Sequence, residues 1–468
     1  MTQRTSDTAG FVLAAPSSGA GKTTAAAAIC ASLRRKGLAV QPFKVGPDFV
    51  DPTYLSLASG RMCANLDGFP NPGLLPYFYS ERCRGGEYVP RADIAVVEGV
   101  MGLYDGLGAE GLYSTAWTAR ELGLPVILLV DAQSAATSVA AVVRGFASLD
   151  PLVPEIRGVI ANRAANQGHA EMIAEALDRF AGIPLIGWLP NVRDASFPSR
   201  HLGLIPAAER RDTEEILNRF TILVENGVDL EAILRIARAP TARAATPKIS
   251  APPRAGGRAR PVRVAVADDD AFCFHYRENW ELLEILGAEV IYTSPLTDES
   301  VPQGTDLLIL PGGYPEEFAD QLADNAPYMA SVRDFSRRGR IYAECGGMMY
   351  LTRAIESRGR SVPMTGVIDA AASMTPSLRR FGYVEARALR DSIMFRRGED
   401  VRAHEFHYSE ITGRAPDAFS VRRASGKGDG WTDGFTGGMG ADLLTTYLHI
   451  NFWSCPNAAN RLLSSPLR

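Results

Sequence analysis

The stretch Glu344-Cys345-Gly346-Gly347 sets a nucleophile among glycines. An apolar run, Arg340-Ile341-Tyr342-Ala343, leads into it, and a helix-like run, Met348-Met349-Tyr350-Leu351, leaves it. That order predicts a strand, a tight turn holding a thiol, then a helix, with the Gly346 N–H ready for an oxyanion. Pro311-Gly312-Gly313-Tyr314 closes another apolar run and offers more bare N–H groups, so Gly313 and Gly346 are the expected oxyanion hole. A thiol attacks as its thiolate, which needs a base. His449, near the end of the strand-like stretch Leu444–Asn451, is the expected base. The pair suits thiol acyl transfer: the imidazole takes the proton, sulfur attacks a carbonyl, and the imidazolium protonates the leaving amine. His404 and His407 are competing bases, but a spacing of three on a strand turns them to opposite faces. They have no third partner at zinc spacing. A small buried thiol in a glycine turn is the plain alternative.

A second constellation lies near the start. Pro16-Ser17-Ser18-Gly19-Ala20-Gly21-Lys22-Thr23-Thr24 follows the apolar run Phe11–Ala15 and precedes an alanine-rich run that stops at Arg34-Arg35-Lys36-Gly37. Between a strand and a helix N-terminus, such a loop turns backbone N–H groups and the helix dipole toward phosphate. Gly19, Gly21, Lys22, Thr23 and Thr24 are thus expected to bind a nucleotide, Lys22 at the β- and γ-phosphates and Thr23 at Mg²⁺. Lys44 ends the next strand beside Asp48 and Asp51, and the strand Ala92–Val97 runs into Glu98-Gly99-Val100-Met101-Gly102-Leu103-Tyr104-Asp105-Gly106. Ligands of open parallel sheets bind outside the strand carboxyl ends. Asp48, Asp51, Glu98 and Asp105 are therefore expected to serve catalysis there, and Thr23, Asp48 and Glu98 to complete a Mg²⁺ shell. Lys44 and Asn162 are expected nucleotide contacts, Asn162 at the adenine edge. Arg200 and His201 are expected anion contacts for the substrate.

These side chains need two scaffolds. Strand and helix patterns alternate from Phe11 to Leu189, which predicts an α/β domain with a mainly parallel sheet. The segment Pro240–Pro261 is rich in Pro, Ala, Gly and Arg and lacks periodicity. A fresh series starts at Val262 with a flavodoxin-like rhythm. The expected division is 1–240, a linker at 241–261, and 262–468. A chain of 468 residues exceeds one core. Its net charge of −4 and pI near 6.0 disfavour a nucleic-acid partner. Six scattered cysteines match no disulfide or zinc framework, and no apolar run has membrane-spanning length, so a cytoplasmic protein is expected. Homodimer formation is left open.

The C-terminal motifs, Pro311-Gly312-Gly313-Tyr314, Glu344-Cys345-Gly346-Gly347 and His449, resemble a class I, triad-type glutamine amidotransferase domain. The N-terminal half resembles the dethiobiotin-synthetase-like ATP-dependent ligases. Lys44-Val45-Gly46-Pro47-Asp48, the long Glu98–Gly106 motif, Arg200-His201-Leu202-Gly203-Leu204 and His404-Glu405-Phe406-His407-Tyr408 extend the resemblance over nearly the whole chain. Together they resemble the cobyrinic or hydrogenobyrinic acid a,c-diamide synthase family. That resemblance implies glutamine hydrolysis at Cys345 through a thioester. It also implies ATP- and Mg²⁺-dependent phosphorylation of a corrinoid carboxylate and attack of ammonia on the acyl phosphate, with acetates a and c amidated in cobalamin biosynthesis. Pro16, standing where the general loop pattern has Gly, is shared with this family. Asn451 stands two residues after His449 where many triad enzymes carry Glu, and it is left out of the catalytic set. Nickel-sirohydrochlorin a,c-diamide synthase and cobyric acid synthase are rivals within the class. A partition-type nucleotide switch is a rival outside it, though a switch has no use for the C-terminal half.

Overall fold

The computed structural model describes residues 8–86, 89–149, 155–192, 199–200, 203–204, 212–238, 260–437 and 442–464. The chain divides into two compact units, Met1–Lys248 and Ile249–Arg468. Most of the expected linker lies outside the described residues, as does His201; of Arg200 only the backbone is described.

The first unit is built on a seven-stranded sheet with every neighbouring pair parallel. Its strands are β1 (Ala9–Ala14), β2 (Val40–Val45), β3 (Ala64–Leu66), β4 (Ile94–Glu98), β5 (Val126–Asp131), β6 (Ile156–Ala164) and β7 (Leu185–Pro190), in the order β3-β2-β4-β1-β5-β6-β7. Central strands of a parallel sheet are covered on both faces, which is why β1 and β4 read as unbroken apolar runs. Helix α1 (Lys22–Arg35) returns from β1, its alanines buried where a larger side chain would hold it off the sheet. The chain leaves β1 toward β2 on one side, while β5 lies on the other. The loop after β1 thus opens at the switch point of the strand order, the usual ligand crevice of such sheets. A two-strand hairpin, β8 (Ser199–Arg200) with β9 (Gly203–Leu204), follows β7.

The second unit carries β10 (Val262–Ala267), β11 (Ala288–Thr293), β12 (Leu307–Leu310) and β13 (Arg340–Glu344) in the order β11-β10-β12-β13. The strand Asp442–Thr446 pairs parallel to β13, and Phe435–Thr436 closes the edge antiparallel. The flavodoxin-like order is thus completed by a strand about a hundred residues further on. The intervening chain builds two more sheets, largely antiparallel, that the sequence pattern did not reveal. One reading is corrected. Leu444–Asn451 is not a single strand: it breaks at Tyr447, and Leu448–His449 joins another sheet beside Asp400–His407. The Thr446 hydroxyl turns back to accept the Leu448 N–H at 3.1 Å, which ends the first ladder locally. No helix among the described residues is long and apolar enough to cross a membrane.

The cysteine turn depends on close packing. A Cβ on Gly347 would lie 2.0 Å from the Leu310 carbonyl oxygen. We expect Gly347→Ala to destabilise the protein by about 1–3 kcal/mol through overpacking. A fall in the urea midpoint at unchanged slope would register it.

Candidate active site

Gly19 (φ 77°) and Gly21 (φ 92°) give the phosphate loop its left-handed turns. The first helical bond runs from the Ala25 N–H to Gly21 O at 3.0 Å. The N–H groups of Lys22, Thr23 and Thr24 therefore have no helical carbonyl to bond and face the loop mouth, as anion binding requires. Lys22 Nζ donates to Ser17 O (3.2 Å) and Met101 O (2.6 Å). Those carbonyls hold the ammonium over the loop, where phosphate oxygens would compete for it. Burial first, then the Lys44 charge, lower its pKa to about 8.

The Glu98–Gly106 motif wraps this loop. Leu103 N–H donates to Ala15 O, and a Cβ on Gly102 would meet Pro16 O at 2.6 Å, so only glycine permits the approach. Asp105 accepts the Gly102 N–H at 2.9 Å and so braces the motif from within. Asn162 does reach the loop. Its Nδ2 donates to Ala20 O at 2.8 Å and its Oδ1 accepts from Arg163, leaving one amide hydrogen for a base. Arg163 itself, in a left-handed conformation, donates to Gly19 O (2.9 Å) and pairs with Asp131. Nothing in the local sequence marked it.

The acids do converge. Thr23 Oγ1 donates to Glu98 Oε1 (2.8 Å) and Asp51 Oδ2 (3.1 Å). Lys44 Nζ lies 2.6 Å from Asp51 Oδ2, 2.8 Å from Glu98 Oε1 and 3.8 Å from Asp48 Oδ2. Asp51, rather than Asp48, is the acid beside Thr23. Asp48 Oδ1 instead accepts the N–H groups of Val50 and Asp51 at the start of helix α2 (Asp51–Ser59). Burial, then crowding by Asp51, raises Asp48 to about 6; burial raises Glu98 to about 7 against the pull of Lys44. Burial also pushes Asp51 upward, but the Lys44 charge and hydrogen bond outweigh it and hold its carboxyl below the usual range. Three carboxylates thus face one buried ammonium. Glu98 Oε2 is buried with no protein partner. A divalent cation with few protein ligands and several phosphate or water oxygens fits this excess charge. No cluster of three or more His, Cys, Asp or Glu among the described residues would enclose a metal on its own.

In the second unit Cys345 sits at φ 45°, ψ −106°, a strained position for a side-chain-bearing residue. Its N–H is held by Thr446 O at 2.8 Å, which fixes the elbow between β13 and the helix Gly346–Leu351. Gly313 lies against Gly346: a Cβ on Gly346 would come 3.0 Å from the Gly313 nitrogen. The two expected oxyanion donors are therefore neighbours. Burial above all keeps the resting thiol protonated, well above its ordinary pKa, and Glu316 adds to this.

His449 flanks Gly312, whose absent Cβ would lie 2.5 Å from the ring Cε1. Glu344 Oε2 stands 3.7 Å from His449 Nδ1. The other oxygen, Oε1, accepts from Tyr342 OH (2.6 Å) and Ile450 N–H (3.0 Å). Sequence reasoning missed this acid because it precedes the nucleophile rather than following the histidine. Asn451 Oδ1 caps the following turn through the Trp453 N–H. His404 and His407 take opposite faces: His404 faces His449 with ring centroids 6.5 Å apart, while His407 bonds Glu405 and Ser409.

Burial lowers His404 to about 4, and burial with the neighbouring histidines lowers His449 to about 3. Unfolding returns each to about 6.5, so the unfolded chain binds more protons between those values. Their contribution to stability is full above about pH 6.5 and is lost as pH falls toward 4 and 3. Replacing His404 by Gln should remove one such proton uptake. The loss of stability between pH 7 and 5, measured by urea unfolding, should shrink by up to ~1.4 kcal/mol per pH unit.

Comparison with known proteins agrees with this geometry. Residues 11–205 match the CobQ/CobB/MinD/ParA nucleotide binding domain, and residues 263–456 match the CobB/CobQ-like glutamine amidotransferase domain. The chain is 43% identical over 461 residues to a cobyrinate a,c-diamide synthase of Syntrophotalea carbinolica, covering 96% of each. It is 37% identical over 457 residues to that of Caldanaerobacter subterraneus subsp. tengcongensis, covering 97% of each. It is 40% identical over 489 residues to a hydrogenobyrinate a,c-diamide synthase of Streptomyces coelicolor, covering 97% of this chain and 96% of the relative.

Proposed function

The chain belongs to the cobyrinate and hydrogenobyrinate a,c-diamide synthases, and on that premise we propose that it amidates the a and c acetates of a corrinoid acid, using ATP and glutamine, in cobalamin biosynthesis. The observation that carries this is the presence of both half-sites in a chain related to synthases over its full length: the phosphate loop with its acids, and the Cys345 elbow. A partition-type switch would use only the first.

Each residue then has a task. The Cys345 thiol yields its proton to His449, and sulfur attacks the glutamine carboxamide. The Gly313 and Gly346 N–H groups hold the oxyanion. Imidazolium returns the proton to the leaving nitrogen, ammonia departs, and water releases glutamate from the thioester. In the ligase unit a substrate carboxylate takes the γ-phosphoryl group of ATP, ADP leaves, and ammonia displaces phosphate from the acyl phosphate. Lys22 and the N–H groups of Gly21, Thr23 and Thr24 bind the β- and γ-phosphates, and Asn162 and Lys44 fix the loop and its acids. Thr23 and Glu98, with Asp51 beside them, would hold Mg²⁺, which when bound offsets phosphate charge. Asp48 and Asp105 shape the walls, and Arg200 and His201 receive the substrate's anionic side chains.

The direct test gives the full chain ATP, Mg²⁺ and glutamine with either cobyrinic or hydrogenobyrinic acid and weighs the products. A diamide from one acid identifies the macrocycle. No amide from either would remove the reading.

We assign Glu344 to positioning His449. Burial raises its pKa to about 8, against the bonds from Tyr342 and Ile450. An adjacent imidazolium would draw it into the ionised state. Glu344→Gln is expected to lower kcat for glutamine hydrolysis about 10²-fold, with KM kept and the pH profile altered. An unchanged kcat would leave Glu344 the structural task of holding Tyr342 and Ile450.

A further inference from the structure

The chain of the second unit crosses twice between two sheets. Trp431–Asp433 lies at the edge of a five-stranded antiparallel sheet, and Phe435–Thr436 at the edge of the sheet that holds β13; Gly434 alone separates them. Asp442–Thr446 pairs with β13, and Leu448–His449 joins the antiparallel sheet; Tyr447 alone separates these. The two crossings lie side by side. Phe435 pairs with Thr445, and a Cβ on Gly434 (φ 74°) would come 2.3 Å from Thr445 O. Conformation and space both require glycine there.

The second crossing sets the geometry of the thiol and its base. Thr446 O accepts the Cys345 N–H at 2.8 Å, and His449 follows three residues on. Tyr447 is buried and belongs to neither ladder, so its N–H needs a partner from elsewhere. Asp433, 5% exposed, supplies it: Oδ2 accepts the Tyr447 N–H at 3.1 Å and also the Thr446 hydroxyl. That hydroxyl in turn accepts the Leu448 N–H at 3.1 Å. One oxygen on the first crossing therefore fixes Thr446 and Tyr447 directly, and Leu448 through the hydroxyl. Two other contacts grip only the Tyr447 side chain. Its ring stacks on His407 with centroids 3.7 Å apart, and its hydroxyl bonds Ser409 Oγ at 2.8 Å. Neither holds the backbone between Thr446 and Leu448.

We propose that Asp433 is a positioning residue for glutamine hydrolysis: by tying Thr446 and Tyr447 to the neighbouring crossing, it keeps the Cys345 elbow and His449 placed for proton transfer. It acts through those two residues and not on the reacting atoms. The assignment rests on the amidotransferase reading of Cys345. Thiol and imidazole must come within hydrogen-bond reach, and a misplacement of about 1 Å costs on the order of 10²-fold in rate.

The test measures glutamine hydrolysis by the full chain, with the folded fraction taken from urea unfolding. Asp433→Ala removes both bonds. Its kcat per folded molecule should fall by about 10²-fold while KM for glutamine is kept. Asp433→Asn retains an oxygen able to accept from both donors, so its kcat should stay within about threefold of wild type. The amide also mimics the neutral acid, a form well populated near pH 7 because burial, then Glu405, pushes Asp433 up to about 7. Thr446→Val leaves the carbonyl that holds Cys345 but deletes the hydroxyl, and kcat should fall by about tenfold. The double variant Asp433→Ala/Thr446→Val should lose much less than the product of the two single losses, since both break one tie. Wild-type kcat per folded Asp433→Ala molecule, with only a lower urea midpoint, overturns the proposal, as do losses that simply multiply. Should Asp433→Ala not fold, Thr446→Val is set against Thr446→Ser, which keeps the hydroxyl; equal kcat in the two overturns the proposal, and recovery in the serine variant supports it. These outcomes leave the amidotransferase reading intact. A wild-type chain that amidates with ammonia but never hydrolyses glutamine overturns both.

Discussion

Cys345→Ala is expected to abolish glutamine-dependent amidation while amidation supplied with ammonium salts continues. The two half-reactions meet only through ammonia. Without the sulfur there is no thioester, and water has no activated acyl group to attack, so glutamine hydrolysis should fall by roughly 10⁴-fold or more. The acyl phosphate forms in the other unit, from the substrate carboxylate and ATP at the phosphate loop and its acids. Ammonia at sufficient concentration replaces the missing supply. The substitution is structurally mild: one sulfur is lost at a buried position, and alanine must adopt the same positive φ of 45° that cysteine already adopts. A stability change of about 1 kcal/mol is expected, from a small cavity. Measuring glutamate release and product mass with each nitrogen source separates the two activities. Loss of the ammonia-dependent activity in a folded Cys345→Ala protein would contradict separate half-sites.

Glu98→Gln should show the converse pattern. Glutamine- and ammonia-supported amidation should fall together, by about 10²–10³-fold, while glutamine hydrolysis by itself persists. Glu98 is fully buried, and its Oε1 is shared by the Thr23 hydroxyl and the Lys44 ammonium. Its other oxygen is where a phosphate-bound cation would gain a ligand. An amide keeps the shape and one acceptor but removes the charge. Lys44 retains Asp51 at 2.6 Å, so its ammonium is not left unpaired and the fold should persist. A phosphate-bound cation held beside Thr23 would lose one anionic ligand. A shift in the Mg²⁺ concentration needed for half-maximal rate would separate loss of the cation from a mispositioned loop. Unchanged ATP-dependent amidation in this variant would remove Glu98 from the ligase site.

These tests follow from features of unequal legibility. The phosphate loop and the cysteine elbow were readable because each is local: strand, glycine turn and helix follow one another in sequence, and the nucleophile or the loop N–H groups lie within that span. The four acids were readable as a group, since strand carboxyl ends collect ligands in any parallel sheet. Their division of labour was not. Asp48 and Asp51 are three residues apart, and only the start of helix α2 decides that the first caps it and the second meets Thr23. Lys44 read as a nucleotide contact, and the structure sets its ammonium among three carboxylates, Asp48, Asp51 and Glu98.

The largest gaps came from distance along the chain. The flavodoxin-like rhythm was audible through β13, but its fifth strand lies beyond an insertion of antiparallel sheets. Pairing across such a span leaves no periodic trace. Glu344 was in view from the start as the residue before the nucleophile, yet its partner His449 arrives from a strand a hundred residues later. His404 and His407 read as a histidine motif, while Asp433, which ties the strand crossing at Thr446 and Tyr447, had no motif at all. Sequence by itself determined the two chemistries, because nucleophile, loop and glycines act through their own backbone turns. Tertiary structure alone decided which carboxylate serves which cation or imidazole, because that depends on side chains from remote strands being buried together at low dielectric, where a few ångströms settle who pairs with whom.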